Sequence, residues 1–247
     1  MQGLITLDFG NTHPHAGLFQ KDQSHWQHIK TVPFSELALF LPQLGMDADN
    51  SSIVLAEVKA REEEIFEYLK QGFLLTRVKD YWRGTKFAGM PVDYAQTLGE
   101  DRLISAYYLF KQDKTPTLLI DAGTFVTMDL ISEAGFQGGY IIPSQQTYFE
   151  TFKKGEQLKD VALQSYSGQE LPHQTQDAMS GSYLAFVALA KSLIEKHSVL
   201  RVVVTGGNSS WWLEQLEHCG TGIIVKAEKD LIHSALHYWM TTQIEPI

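Results

Sequence analysis

Apolar residues follow two different periods along this chain. Short, mostly apolar runs typical of buried strands occur at residues 4–7, 52–56, 73–76, 117–120, 125–131, 200–204 and 222–225. Apolar residues at helical spacing predict helices at residues 60–71, 99–111, 177–197 and 230–242. Because strands alternate with helices and two strands are followed at once by a return strand, we predict an α/β fold with mixed β-sheets flanked by helices.

The same polar turn follows two of these apolar runs. Residues 8–12 have the sequence DFGNT after the first run, and residues 121–124 have the sequence DAGT after a later one. The two copies suggest an internal duplication, with a boundary in the short polar stretch at residues 111–116. We therefore predict two halves, residues 1–114 and residues 115–247.

A tight glycine turn at a strand end can bind phosphate, because its backbone N–H groups approach an anion where no side chain obstructs them. The carboxylates of Asp8 and Asp121 can hold a cation directly or through water. Either turn alone is equally compatible with an ordinary Asx hydrogen bond. Together they predict a nucleotide held between two halves.

A pair of glycines, Gly206 and Gly207, follows the apolar run at 200–204. Backbone exposed in this way can lie flat beneath a purine or ribose. The favoured alternative for this segment by itself is a strand-to-helix turn without a ligand, in which Ser209 or Ser210 caps the following helix.

An acidic segment, residues 98–102 with the sequence LGEDR, opens the helix predicted at 99–111. A carboxylate beside a helix N-terminus is stabilised as the anion and can accept a proton or orient a hydroxyl. Arg102 can pair a substrate carboxylate through two parallel hydrogen bonds. The alternative is that Glu100 and Asp101 only stabilise the helix dipole.

Composition narrows the class of protein. The chain has 247 residues and a formal net charge of −9, which argues against a nucleic-acid partner. Cys219 is the single cysteine, so an internal disulfide and a cysteine zinc site are excluded, and a reducing cytoplasm is expected. No signal peptide or membrane span is indicated.

His13 and His15 could form a metal pair, but phosphate-proximal or surface positions are the favoured interpretation.

Six short motifs in a fixed order make the sequence resemble the type III pantothenate kinases, members of the superfamily of acetate and sugar kinases, Hsp70 and actin. The motifs lie at residues 8–12, 98–102, 121–124, 138–143, 171–178 and 205–207. The resemblance covers nearly the full length. It implies duplicated ribonuclease H-like (actin-like ATPase) halves, with the first phosphate turn and substrate segment in one half and the second phosphate turn and adenosine loop in the other.

The resemblance also implies an activity, the ATP-dependent phosphorylation of pantothenate to 4'-phosphopantothenate at the start of coenzyme A biosynthesis. The residues expected to contact the ATP phosphates and to organise a divalent cation, Mg²⁺ in the first instance, are Asp8, Phe9, Gly10, Asn11, Thr12, His13, Pro14 and His15. Thr124 is expected to add a further contact to the nucleotide. Those expected to bind pantothenate are Gly99, Glu100, Asp101, Arg102 and Thr175, with Asp101 as proton acceptor. Asp121 is expected to bind K⁺ or NH4⁺, and Thr175 to act across a homodimer interface.

Some positions depart from the family pattern. Val92 stands where a tyrosine is usual, with Tyr94 two residues later, and Phe125 stands where a small residue is usual. Ser144 and Gln174 replace a usual glycine and asparagine. Val92 and Phe125 suggest one alternative function, a kinase of the same superfamily for another small hydroxy acid. A second alternative, of a different class, is a nucleotide-binding regulator that has lost catalysis.

Overall fold

Two five-stranded β-sheets with the same strand order organise the chain. The computed structural model describes residues 2–10, 14–57, 65, 67–68, 70–161, 171–217 and 222–243. The first sheet contains β1 (Gln2–Phe9), β2 (His15–Asp22), β3 (His25–Pro33), β4 (Ser51–Glu57) and β5 (Leu74–Arg77) in the order β3-β2-β1-β4-β5. Strands β1, β2 and β3 pair antiparallel, whereas β4 pairs parallel with β1 and β5, so this sheet is mixed.

The second sheet repeats this order later in the chain. Its strands are β9 (Thr117–Ala122), β10 (Phe125–Ser132), β11 (Gly135–Pro143), β12 (Arg201–Thr205) and β13 (Ile224–Ala227), in the order β11-β10-β9-β12-β13. Strand β12 pairs parallel with both β9 and β13. A small antiparallel sheet contains β6 (Trp82–Arg83), β7 (Lys86–Phe87) and β8 (Met90–Pro91).

Helices cover the sheets. The α-helices with described bounds are α1 (Leu37–Gln43), α2 (Glu100–Gln112), α3 (Gln145–Glu150), α4 (Thr175–Ser182), α5 (Leu184–Lys196), α6 (Ser209–Leu216) and α7 (Leu231–Gln243). Helices α2 and α7 pack against each other, and both contact β4. Helix α6 packs on β9, β12 and β13. None of the described helices is long and apolar enough to cross a membrane.

The chain divides into two compact units, each with its own core. The first comprises residues 1–114, 131–138 and 230–247, and the second comprises residues 115–130 and 139–229. The first core is built around fully buried residues such as Ile5, Leu7 and Ile53, and the second around residues such as Ile120 and Val204. Each such side chain contributes about 1.5–3 kcal/mol through burial.

The predicted strands and mixed sheets are confirmed, each strand within two residues of its expected start. In the helix predicted at 60–71, the described residues 65, 67, 68 and 70 are helical. The compact units share the predicted boundary after residue 114 but assign residues 131–138 and 230–247 to the first unit. The division into duplicated halves stays a prediction.

Two details of the helix predictions are wrong. The segment expected as one helix at 177–197 forms α4 and α5, which meet at Tyr183. The buried Tyr183 donates its hydroxyl to the Pro143 carbonyl at 3.0 Å, and the Phe186 N–H bonds three residues back to Tyr183 rather than four. Ser209 and Ser210 do not cap α6 but are its first two residues, with Asn208 at the N-cap.

Candidate active site

The first polar turn begins where β1 ends. Because β1 and β2 pair antiparallel, Asp8 lies opposite His15, and the His15 Nε2 atom is 3.5 Å from the Asp8 Oδ2 atom. The side chain of Phe9 is buried against Phe34, with ring centroids 4.8 Å apart, so only its backbone can face a ligand. A Cβ atom on Gly10 would lie 3.8 Å from Asp8 Oδ1, which leaves ordinary room beside the carboxylate.

The rest of this turn is described in part. Asn11, Thr12 and His13, all predicted to contact ATP, lie outside the described residues. The carbonyl of Pro14 accepts a hydrogen bond of 2.9 Å from the Phe34 N–H, which fixes the backbone where the chain enters β2. The structure therefore brings Asp8, Gly10 and His15 together at one end of the first sheet.

Behind His15 runs a chain of polar contacts into the core. His15 Nδ1 is 2.8 Å from Nε2 of His233 on α7, and His233 Nδ1 is 2.7 Å from the Thr6 hydroxyl. The Thr6 hydroxyl donates to the Gly17 carbonyl at 3.2 Å. His233 and Thr6 are fully buried. Burial lowers the pKa of His233 well below its usual range, and the neighbouring His15 and His28 lower it further.

A glycine makes this arrangement possible. A Cβ atom on Gly17 would lie 2.6 Å from the Thr6 hydroxyl oxygen and 2.7 Å from the His233 ring, closer than real Cβ contacts allow. Glycine inside a strand often marks such a close approach. Sequence reasoning missed His233 because it lies more than two hundred residues from His15 in the chain. Gly17 in β2 is a local sequence signal that another side chain approaches the strand closely.

The acidic segment lies at the same end of the first sheet as Asp8. Phe9 and Glu57 are register partners at the ends of the parallel strands β1 and β4. The backbone N–H of Glu57 donates to the Glu100 carboxylate at 3.3 Å. Helix α2 therefore begins beside the strand ends that carry Asp8, and Asp101 follows Glu100 directly. Glu57, which sequence reasoning also missed, connects the two segments.

Glu100 is buried rather than solvated. Burial raises its pKa to about 7, and the charge of Glu57 adds to this rise, while the Glu57 N–H and the Lys79 charge act in the opposite direction. Glu57 itself accepts hydrogen bonds from Arg77 Nη1 at 2.9 Å and from Lys79 Nζ. The carboxyl of Glu100 thus lies beside a charge cluster of Glu57, Arg77 and Lys79 at the end of β4.

Asp101 occupies a different environment in the same helical turn. It is half-buried, and its Oδ1 atom accepts the backbone N–H of Arg102 at 2.8 Å. Burial raises the pKa of Asp101 above its ordinary value, and the N–H and charge of Arg102 partly oppose that rise. A carboxylate oriented in this way at a helix N-terminus can serve as a proton acceptor.

Arg102 is held by two aromatic rings. Its guanidinium lies 5.3 Å from the ring centroid of Tyr94 and 5.7 Å from that of Phe136. Val92 is buried and forms a β-bridge with Phe136, so its side chain belongs to the core. Two residues later, Tyr94 is 37% exposed, which leaves an aromatic surface beside Arg102.

The second polar turn is built within the second unit. Asp121 lies in β9, and the loop after β12 passes so close that a Cβ atom on Gly206 would lie 2.7 Å from Asp121 Oδ1 and from the Ala122 carbonyl carbon. Gly206 has a φ of +86°, which also favours glycine. The Asn208 N–H donates to the Ala122 carbonyl at 3.1 Å, which fastens this loop to the turn.

Thr124 and Thr175 are exposed residues of the second unit. The Thr124 carbonyl accepts the Ser144 N–H at 3.4 Å, and Ser144 caps α3 through the Thr147 N–H. Thr175 is the first residue of α4, with Gln174 at the N-cap. Phe125, one of the departures from the family pattern, is 45% exposed.

Comparison with known proteins gives a consistent result. A sequence model of the family described as type III pantothenate kinase matches residues 4–196. A type III pantothenate kinase from Myxococcus xanthus is 25% identical over 226 residues, covering 84% of this chain and 88% of the relative. A type III pantothenate kinase from Streptomyces griseus is 29% identical over 231 residues, covering 83% and 86%.

Solved structures share the fold. A Campylobacter jejuni protein assigned to the Baf family of transcriptional activators has a TM-score of 0.62 and 20% identity, covering 96% of this chain and 97% of its own. A Sinorhizobium meliloti protein assigned as a 2-dehydro-3-deoxygalactonokinase has a TM-score of 0.58 and 10% identity, covering 99% and 100%. At these identities the likeness shows the fold alone, and it confirms the predicted α/β fold with mixed sheets flanked by helices.

Proposed function

This chain belongs to the type III pantothenate kinase family, and from that premise we propose which of its residues perform the reaction. The enzyme uses ATP to phosphorylate pantothenate, giving 4'-phosphopantothenate for coenzyme A biosynthesis. The match of the family model over residues 4–196 carries this conclusion. Neither alternative, a kinase for another hydroxy acid or an inactive regulator, is favoured by the relatives.

Asp101 is the proposed proton acceptor for the attacking hydroxyl. Its Oδ1 atom is oriented by the Arg102 N–H, and burial raises its pKa, which makes the carboxylate a stronger base than an exposed aspartate. Phosphoryl transfer depends mainly on positioning and charge neutralisation, so a base of this kind supplies one part of the rate.

The pantothenate-binding segment is proposed to comprise Gly99, Glu100, Asp101 and Arg102. Arg102 is buried with its guanidinium beside Tyr94, and it suits a substrate carboxylate because a guanidinium presents parallel N–H donors. The Glu100 carboxyl bonds the Glu57 backbone, so its part in binding is to fix the start of α2.

The ATP phosphates are proposed to lie beside residues 8–15, with a divalent cation organised by Asp8. A carboxylate at the end of β1 with room beside Gly10 fits this group, because Mg²⁺ in nucleotide sites takes one or two carboxylates and completes its shell with phosphate and water. Among the described residues, no group of three or more His, Cys, Asp or Glu side chains could hold a metal ion by itself. When bound, the cation neutralises charge on the β- and γ-phosphates.

In the second unit, Thr124 is proposed to contact the nucleotide and Asp121 to bind a monovalent cation. The Asp121 carboxylate and the Ala122 carbonyl lie side by side around Gly206, an oxygen-rich setting that suits K⁺ or NH4⁺. We further propose a cytoplasmic homodimer in which Thr175 contributes to the partner's pantothenate pocket. The exposed position of Thr175 at the start of α4 is compatible with this role.

The test of this function is coupled detection of ADP with pantothenate, ATP, Mg²⁺ and a potassium salt. We expect turnover by the wild type and a fall in kcat of about 10²–10⁴ in Asp101→Asn, the range that a positioned base supplies. Asp49→Asn, an exposed aspartate in a loop, is the matched control. Absence of turnover by the folded wild type would contradict the proposed activity, and unchanged turnover in Asp101→Asn would remove that residue from the base role.

A further inference from the structure

The segment that carries Tyr94 is tied to the start of β11. Val92 forms a parallel β-bridge with Phe136, and the Asp93 N–H donates to the Phe136 carbonyl at 2.9 Å. The Tyr94 ring then meets the Phe136 ring edge-on, with centroids 5.8 Å apart and planes at 78°. Backbone contacts as well as ring packing therefore set the position of Tyr94.

Tyr94 and Phe136 form an aromatic pair beside the guanidinium of Arg102. The guanidinium carbon lies 5.3 Å from the Tyr94 centroid and 5.7 Å from the Phe136 centroid, close enough for attraction between a cation and a ring. Arg102 is 6% exposed, and a charge so far out of water needs compensation. Because cation–ring attraction is strongest for a desolvated cation, the aromatic pair restricts where the guanidinium lies.

The two members of the aromatic pair differ in exposure. Phe136 is fully buried, whereas Tyr94 is 37% exposed, so Tyr94 is the member that a solute can contact. Side chains on a helix lean toward its N-terminus, and Arg102 on the first turn of α2 therefore leans toward the helix start. Its charge opposes the rise that burial causes in the pKa of Asp101, so these two groups interact. A guanidinium has enough N–H donors to serve a neighbouring carboxylate and a ligand together.

We propose that Tyr94 is a positioning residue for substrate recognition, whose ring orients the Arg102 guanidinium toward the carboxylate of pantothenate. The inference rests on the proposed role of Arg102 in binding that carboxylate. A guanidinium forms parallel hydrogen bonds with a carboxylate when its plane faces the ligand correctly, and an arginine side chain without packing samples many rotamers. Orientation by Tyr94 therefore favours a substrate with a carboxylate over an analogue with a neutral group in its place.

The experiment compares two substrates that share the reacting hydroxyl. Pantothenol has a CH2OH group in place of the pantothenate carboxylate, so it cannot form an ion pair with Arg102. Coupled detection of ADP gives kcat/KM for each substrate, and the ratio of the two values measures recognition of the carboxylate. In Tyr94→Leu we expect KM for pantothenate to rise about tenfold with kcat nearly unchanged, while kcat/KM for pantothenol stays within about twofold. Tyr94→Phe, which keeps the ring, should retain most of the wild-type ratio.

A double-substitution cycle shows whether Tyr94 acts through Arg102. Arg102→Gln alone should lower the ratio, and adding Tyr94→Leu to that variant should lower it no further, because the group that Tyr94 orients is gone. The matched control is Tyr81→Leu. Tyr81 is a 47% exposed tyrosine whose ring meets Trp239 edge-on at 5.1 Å, and its replacement should leave the ratio at the wild-type value.

Three results would overturn the proposal. One is an equal loss of kcat/KM for both substrates in Tyr94→Leu, which would make Tyr94 a residue of general structural support. The others are an unchanged ratio in Tyr94→Leu and additive effects of Tyr94→Leu and Arg102→Gln. Failure of the proposed function is a separate result, because it appears as absence of ADP formation from pantothenate by the folded wild type.

Discussion

Glu100 and Asp101 are adjacent at the start of α2, but their surroundings give the two carboxyl groups different roles. Glu100 is buried against the end of β4, where its carboxyl meets Glu57 and Lys79. Asp101 is oriented instead by the Arg102 N–H. At the scale of single residues, the first carboxyl therefore belongs to the support of the helix, and the second is presented for chemistry.

The buried Glu100 makes stability depend on pH. Its folded-state pKa of about 7 lies above the ordinary value of 4.5, so between these values the folded state binds the extra proton. The contribution of Glu100 to the free energy of unfolding is therefore fully present below pH 4.5 and is lost as the pH rises through 7. The full loss amounts to about 3 kcal/mol.

Replacing Glu100 with Gln should remove that dependence. We expect Glu100→Gln to match the wild type near pH 4 and to be more stable by up to about 3 kcal/mol at pH 8, as measured by urea unfolding across this range. The amide oxygen can still accept the Glu57 N–H. Glu133→Gln, at an exposed turn, is the control. A stability difference that does not change with pH would contradict a buried, titrating Glu100.

Sequence reasoning found the residues at the strand and helix ends but not those that support them. Asp8 and Asp101 were identified by local motifs, since a glycine turn or a helix start is readable within five residues. Glu57 and His233 have no such motif. They reach the site through sheet register and helix packing, which couple residues far apart in the chain.

At the scale of elements, the loop between β12 and α6 offers a matched pair of glycines. A Cβ atom on Gly206 would overlap Ala122 and Asp121, and its φ is +86°, whereas a Cβ atom on Gly207 would meet nothing within 4 Å. The loop conformation therefore depends on the first glycine and not on the second.

Gly206→Ala is expected to lower the free energy of unfolding by about 1–3 kcal/mol, because it combines backbone strain with overlap at the second turn. Gly207→Ala should change that free energy by less than about 0.5 kcal/mol. Chemical denaturation of both variants makes the comparison. Equal effects of the two substitutions would show that the loop does not need its close approach to Asp121.

Strands were largely predictable where burial on both faces requires a run of apolar residues. Strands β1, β4, β9 and β12 are buried runs and were found. Strand β3 was not, because most of its residues are exposed and polar at the sheet edge. The break between α4 and α5 was also missed, since the helical spacing of apolar residues continues through Tyr183.

At the scale of the whole molecule, the two sheets repeat one strand order, and each presents an aspartate at the end of its central strand. The repetition supports the proposed duplication. The net charge of −9 provides no general positive field that would attract ATP. The protein must therefore bind ATP through local cations and backbone N–H groups.

The stabilisation of the protein by ATP tests the roles proposed for Asp8 and Asp121. With Mg²⁺ and K⁺ present, ATP at 100 times its Kd should stabilise the wild type by about 2.7 kcal/mol. Asp8→Asn and Asp121→Asn should each lose most of the corresponding rise in Tm, whereas Asp49→Asn should keep it. Full retention of the rise in either variant would remove that aspartate from a role in nucleotide binding.

The return of α7 to the first unit has a consequence during protein synthesis. When residues up to 229 have been synthesised, every strand of the first sheet has been made. Helix α7, which packs on β1 and β4, has not. Until residues 231–243 emerge, the nascent sheet keeps an apolar face uncovered and His15 lacks its buried neighbour. Premature termination in this region would leave an intact second unit attached to a first unit that chaperones and proteases can recognise.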